Sequence, residues 1–135
     1  MDFVLDASVA LAWCFPDETT DYATRVLHRF AAQQAVVPTI WPLEVSNALV
    51  VGHRRARIDR GQIETASKLL QALDIAVDEL PLAHTFHATI PLALAHQLSV
   101  YDAAYLELAQ RTGFPLATWD RKLRQAAEAA KVDIL

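Results

Sequence analysis

Short apolar runs and longer amphipathic stretches alternate from one end of the chain to the other. DFVL at 2–5, AVVP at 35–38, PLAT at 115–118 and VDIL at 132–135 are brief and mainly apolar, and IAVDEL at 75–80 alternates with period two. These five runs predict strands. The stretches between them carry helical punctuation. ASVALAWCF at 7–15 predicts a short helix that stops before Pro16. Thr19 or Thr20 is placed to cap a helix through DYATRVLHRFAAQ at 21–33, with Asp17 and Glu18 as its first-turn acids. Pro42 suits the first turn of a helix through LEVSNALVVGHRRA at 43–56, and Gly61 marks the turn into QIETASKLLQAL at 62–73. A further helix starts near Leu82, is kinked or split by Pro91 and continues as LALAHQL. DAAYLELAQRT at 102–112 predicts a helix closed by Gly113, and RKLRQAAEAAK at 121–131 predicts the last one. Regular exchange of strand and helix predicts an α/β sandwich around a central, mostly parallel sheet.

One residue breaks the apolar pattern at once. Asp6 ends the first strand, just before the apolar run resumes as VALAW. A buried charge without a partner is costly, so the position requires a physical reason. Asp120 leaves the end of LAT in the same way. Ligands gather at the carboxyl ends of parallel strands, so these two acids can meet although nearly the whole chain separates them. Asp102 begins a helix. Glu44 lies on the border of the apolar arc that holds Val45 and Leu49, half turned inward, and Asn47 one turn on is placed to orient it. Each acid also has an ordinary structural role open to it: a helix N-cap for Asp6 or Asp102, a side chain snorkelling from the core's rim for Glu44. Taken together they ask for more. Two carboxylates about 5 Å apart repel by about 3 kcal/mol at an effective dielectric near 20. A cluster of them must protonate, scatter or bind a cation. Oxygen ligands without His or Cys select Mg²⁺ or Mn²⁺ over zinc. The natural use of such an ion is phosphoryl chemistry, where it acidifies an attacking water and neutralises phosphate charge.

Composition narrows the classes that remain. A length of 135 residues predicts one domain, 1–135. With 53% hydrophobic and 21% charged residues the chain is not disordered. No apolar run reaches the ~18 residues of a membrane helix, and Asp2 in place of a basic leader predicts no secretory signal. Cys14 is the single cysteine, which excludes an internal disulfide and a cysteine-rich zinc site; a cytoplasmic protein fits these limits. The three glycines, Gly52, Gly61 and Gly113, cannot write a dinucleotide fingerprint or a Walker A loop. A net charge of −4 disfavours a generally basic nucleic-acid binder, but permits a local basic patch or an acidic site loaded with metal.

FVLDASVALAW, WPLEVSNAL, SVYDAAYLELA and LATWDRKL, in that order and spacing, resemble the PIN-domain ribonucleases, in particular the VapC toxins of bacterial toxin–antitoxin pairs. The resemblance runs from Asp2 to the C-terminus. It implies a PIN α/β/α sandwich with a parallel sheet of about five strands, and places the metal-site acids on Asp6, Glu44, Asp102 and Asp120. Ser8 and Thr118 match the hydroxyl residues that support metal or phosphate. The implied activity is Mg²⁺- or Mn²⁺-dependent endonucleolytic cleavage of RNA by an activated water. The implied partners are a cognate VapB-like antitoxin, whose C-terminal segment lies across the active groove, and a second copy in a homodimer.

Two basic runs offer grip on a polyanion. His53, Arg54, Arg55, Arg57 and Arg60 sit near a helix C-terminus, where cations are favoured anyway. Arg121, Lys122 and Arg124 follow Asp120 at the start of a helix, against the dipole, and are preferred as RNA contacts. Trp119 departs from the family pattern; it reads as a core residue, with base stacking as the other use of its ring. Cys14 reads as a small buried hydrophobe, Trp13, Trp41 and Tyr105 as packing residues, His84 and His87 as surface or packing residues, and Glu107 as solvated. An aspartyl-phosphate mechanism is disfavoured, because Ser8 stands where a dehalogenase-type phosphatase needs a second Asp and Ala7 where a receiver domain needs an acid pair. The non-enzymatic alternative is a PIN-domain binding module of weak or lost activity that works through its antitoxin complex.

Overall fold

The computed structural model describes residues 2–135. Its strands are β1 (Phe3–Leu5), β2 (Ala35–Pro38), β3 (Ile75–Asp78) and β4 (Leu116–Ala117), all parallel, in the order β3-β2-β1-β4. Phe3, Val4 and Leu5 are almost wholly buried, as expected of a strand covered by helices on both faces. β3 lies at the sheet edge and stays half exposed, which is why its sequence alternates while that of β1 does not. The predicted fifth strand forms a single parallel bridge, Leu116 to Ile134. Its neighbour β4 is only two residues long and offers no longer ladder.

Eight α-helices surround the sheet among the described residues: α1 (Ala7–Cys14), α2 (Asp21–His28), α3 (Trp41–Arg54), α4 (Arg60–Ala72), α5 (Leu82–His84), α6 (Ile90–His96), α7 (Val100–Thr112) and α8 (Arg121–Ala129). Thr20 caps α2 by accepting from the Ala23 N–H. Asp17 and Glu18 do not belong to that helix. They lie in a separate 3₁₀ turn, Pro16–Glu18, and pair with Arg57 at 3.1 and 3.0 Å. Gly61 is not a turn residue either. Asp59 and Gln62 form a reciprocal capping box that starts α4 one residue before the glycine. Gly113, at φ 75°, ends α7 in the left-handed conformation that glycine adopts without strain.

The segment around Pro91 is a split rather than a kink. Between α5 and α6 the backbone widens into a π-helical turn, Thr85–Thr89, where the Ile90 N–H reaches the Thr85 carbonyl. Pro91 has no N–H to give and its ring crowds the carbonyl four residues back, so a wider turn relieves both. α7 packs on β1 and β2 and is buried along most of its surface; Tyr105, Leu106 and Leu108 are among the largest fully buried side chains. Gly52 of α3 lets the Phe15 ring approach: a Cβ there would stand 2.6 Å from Phe15 Cε1.

Candidate active site

From β1 the chain crosses to β2 on one side, while β4 lies on the other. The connections above the sheet therefore part between β1 and β4, leaving a crevice at their carboxyl ends. Leu5 pairs with Ala117 at this point, so Asp6 and Thr118 emerge side by side. Asp6 occupies the N-cap position of α1 but makes no capping bond. Its Oδ2 instead accepts the hydroxyls of Ser8 at 2.6 Å and Thr118 at 2.7 Å, and no described residue donates to Oδ1. The same two hydroxyls fix the neighbouring loop. The Trp119 N–H donates to Ser8 Oγ and the Asp120 N–H to Thr118 Oγ1. Asp120 uses Oδ1 to cap α8 through the Lys122 N–H.

The other two acids come from helices that flank the crevice. Asp102 stands in the first turn of α7, and Ser99 provides the cap by accepting the Asp102 N–H. The cap is thus Ser99 rather than Asp102, and the Ser99 hydroxyl also acts on the Asp102 carboxyl. Glu44, half-buried in the first turn of α3, accepts a 2.5 Å hydrogen bond from the Tyr105 hydroxyl. Asn47 is exposed and makes no hydrogen bond to Glu44; the orienting partner is Tyr105, reached across the fold from α7. No sequence spacing links positions 44 and 105. The one available signal was a tyrosine one turn beyond Asp102 on a helix otherwise lined with aliphatic residues.

The four carboxylates sense one another. Burial pushes Asp6 above its ordinary range against the Ser8 and Thr118 hydrogen bonds, and the charges of Asp102 and Asp120 push it the same way. Burial raises Glu44 against the Tyr105 bond, with added repulsion from Asp6 and Asp102. Burial and the charge of Asp120 raise Asp102, against the Ser99 hydroxyl and, after it, Lys122. Tyr105 is driven upward by burial and by Asp6 and Glu44, so it stays a neutral donor. Among the described residues no three His, Cys, Asp or Glu side chains stand close enough together to enclose an ion. The donor chemistry nevertheless suits a hard divalent cation: carboxylate oxygens, an accessible Asp6 Oδ1, and excess negative charge opposed only in part by Lys122. A bound cation would oppose the burial and the repulsion that raise Asp6, Glu44 and Asp102.

Arg121 and Lys122 are exposed beside Asp120 and form no ion pair with a described residue. Arg124 is more constrained: its Nε donates to the Thr118 carbonyl at 2.8 Å, and its guanidinium lies 4.9 Å from the centre of the Tyr22 ring. Trp119 is not a core residue. It is 54% exposed and stacks on Tyr22 with ring centres 5.4 Å apart. Its chain position explains this: the Thr118 side chain turns inward to Asp6, and the next residue must face out. Glu107 is buried rather than solvated, bonded to Arg111 at 2.8 Å and to His84 at 2.6 Å, because α7 is covered on almost every side.

The family model of the PIN domain matches residues 3–129. A relative, Ribonuclease VapC3 of Pyrobaculum aerophilum, is 31% identical over 125 residues, covering 93% of this chain and 94% of the relative. The crystal structure of PAE2754 from Pyrobaculum aerophilum superposes with a TM-score of 0.70 at 21% identity, over 93% of this chain and 84% of that one. That of FitAcB from Neisseria gonorrhoeae superposes with a TM-score of 0.62 at 14% identity, over 98% and 96%. Family model, relative and fold agree with the order of the sequence motifs, and the chain belongs to the PIN domain family, of the VapC type.

Proposed function

We propose that this protein is an endoribonuclease toxin of a type II toxin–antitoxin pair that requires Mg²⁺ or Mn²⁺. The observation that carries this reading is the electrostatic coupling of Asp6, Glu44, Asp102 and Asp120 in the β1/β4 crevice, with Asp6 buried and held only by hydroxyl donors. The name of its relative, a VapC ribonuclease, points the same way. Asp6, Asp102, Asp120 and Glu44 would hold the ion, which supplies charge neutralisation at the phosphate and a more acidic attacking water. Ser8 and Thr118 favour the ionised form of Asp6 against its burial and aim it into the crevice, and Tyr105 fixes Glu44. Arg121 and Lys122 face the flanking phosphates. The partners are RNA, a VapB-like antitoxin and a second copy of the chain, and the place of action is the cytoplasm. No helix among the described residues is long and apolar enough to cross a membrane.

Antitoxin-free protein is expected to cut structured RNA with Mg²⁺ and to leave it intact in EDTA. Asp6→Asn should slow cleavage by at least about 10²–10³-fold, the rate equivalent of about 3–4 kcal/mol of lost transition-state stabilisation. Wild-type cleavage by both Asp6→Asn and Asp120→Asn would remove the site assignment. The open spacing of the acids favours a second reading, a binding module of little activity; it predicts intact antitoxin binding with no metal-dependent cutting by the wild type.

A further inference from the structure

The surface beside the acids carries aromatic and cationic groups that the proposed reaction does not use. Trp119 exposes one face of its ring and rests the other on Tyr22, with an angle of 26° between the planes. The Arg124 guanidinium lies over the pair, 4.9 Å from the Tyr22 ring centre and 5.7 Å from that of Trp119. The platform is tied directly to the crevice. The Trp119 N–H donates at 3.0 Å to Ser8 Oγ, which donates to Asp6. On its far side Tyr22 lines a cleft shared with Arg25, His28 and Arg29. The Arg25 guanidinium lies 5.9 Å from the Tyr22 ring centre, and none of Arg25, His28 and Arg29 forms an ion pair with a described acid. An exposed aromatic ring stacked on Tyr22, near two arginines without a carboxylate partner, stands out in a chain of net charge −4.

Each alternative use of the ring is weaker. As packing, Trp119 would be covered, and it is not. As a contact for a purely apolar partner, it would not need Arg124 and Arg25 against the same aromatic stack. Stacking plus unpaired positive charge is the chemistry that holds single-stranded nucleic acid, because every base has a π-face and every linkage a phosphate. Duplex RNA hides its bases and offers nothing to stack.

We propose that Trp119 is a specificity-determining platform for one unpaired base flanking the scissile phosphate, with Arg25, His28 and Arg29 holding the backbone of the strand that leaves it. The inference rests on the ribonuclease reading above and assigns the base contact beside the cut to Trp119.

The experiment measures binding without cleavage. Asp6→Asn protein is titrated with a ten-nucleotide unpaired RNA, with the same RNA annealed to its complement, and with a ladder of oligomers abasic at one position each. One abasic position should weaken binding about 5- to 150-fold, the range measured for single stacked bases. Adding Trp119→Ala should remove that sensitivity, adding Trp119→Phe should restore much of it, and the duplex should bind more weakly than the single strand. Tryptophan fluorescence should be quenched by the intact oligomer in the Asp6→Asn protein and much less with Trp119→Ala. A flat abasic ladder, or a ladder unchanged by Trp119→Ala, overturns the platform even if the wild type cuts RNA. A Trp119-dependent ladder alongside a wild type that cuts nothing upholds the platform and rejects the nuclease. Absence of RNA binding rejects both.

Discussion

Tyr105→Phe tests the link between a buried core residue and the acidic site. The ring is fully buried in α7, and phenylalanine refills that space. What changes is the hydroxyl, which donates to Glu44 Oε1 at 2.5 Å and is itself hydrogen-bonded by the backbone of Ala7, the residue after Asp6. The Tyr105 bond holds Glu44 down against burial and against Asp6 and Asp102, so its loss raises the Glu44 carboxyl further. A hydrogen bond to a charged group contributes about 1.5–3 kcal/mol. Loss of a hydrogen bond that orients a metal ligand typically lowers metal affinity about 10–100-fold, which is about 1.4–2.7 kcal/mol and agrees with that range. Calorimetric titration of Mn²⁺ should therefore give a dissociation constant raised about 10–100-fold. Cleavage should fall by a similar factor at subsaturating metal and recover within a few-fold at saturation. Thermal unfolding in EDTA should report a loss of about 1 kcal/mol from the stranded Ala7 N–H. A variant that binds Mn²⁺ and cuts RNA like the wild type at limiting metal would refute the role given to Tyr105 and weaken that given to Glu44.

Glu107 supplies a pH test. Burial would raise it, but its bonds to Arg111 and His84 hold its carboxyl below the ordinary value of 4.5. Its contribution is present above that ordinary value and disappears as pH falls through the lowered one. Urea unfolding of wild type against Glu107→Gln should show a stability difference that is constant near pH 7 and shrinks below about pH 4.5; a difference that grows on acidification contradicts the assignment. Asp6 has the opposite sign. Its raised carboxyl adds stability as pH falls and loses it as pH rises. Asp6→Asn should therefore melt above the wild type in EDTA near neutral pH, since the amide carries no charge to bury and none to repel Asp102 and Asp120. Mg²⁺ should stabilise the wild type and not the variant; equal melting curves in EDTA would remove the repulsion. Gly52→Ala brings a Cβ to 2.6 Å from Phe15. Overpacking of about 1–3 kcal/mol outweighs the roughly 1 kcal/mol of helix propensity gained, so chemical denaturation should show net destabilisation.

The hydroxyl pair Ser8 and Thr118 shows how the site is held together. Both side chains meet one oxygen of Asp6, yet 110 residues separate them. They bring β1, β4 and the loop to α8 into one network, and the Trp119 and Asp120 backbones hang from the same two atoms. Removal of either hydroxyl leaves Asp6 with one donor against undiminished burial and repulsion, which moves its carboxyl further upward. The Arg57 cluster at the other end of α3 is structural by comparison. Its guanidinium covers the Phe15 ring and pairs with Asp17 and Glu18, so this member of the basic run is occupied without RNA.

Local sequence determined the alternation of strands and helices, the burial of β1, the stop at Pro16, the cap at Gly113 and the presence of an acid where an apolar strand ends. These features follow from period, turn chemistry and the cost of a lone buried charge, all of which act within a few residues. The motif order added the four acids as a set. Only the tertiary structure decided which partners they meet. Tyr105 rather than Asn47 holds Glu44, because α7, packed on β1 and β2, carries the tyrosine hydroxyl to the start of α3. Ser99 rather than Asp102 caps α7, Glu107 is buried with Arg111 and His84, and Trp119 faces outward onto Tyr22. A residue's own periodicity tells which way it points from its helix or strand. What lies in that direction depends on how distant elements pack.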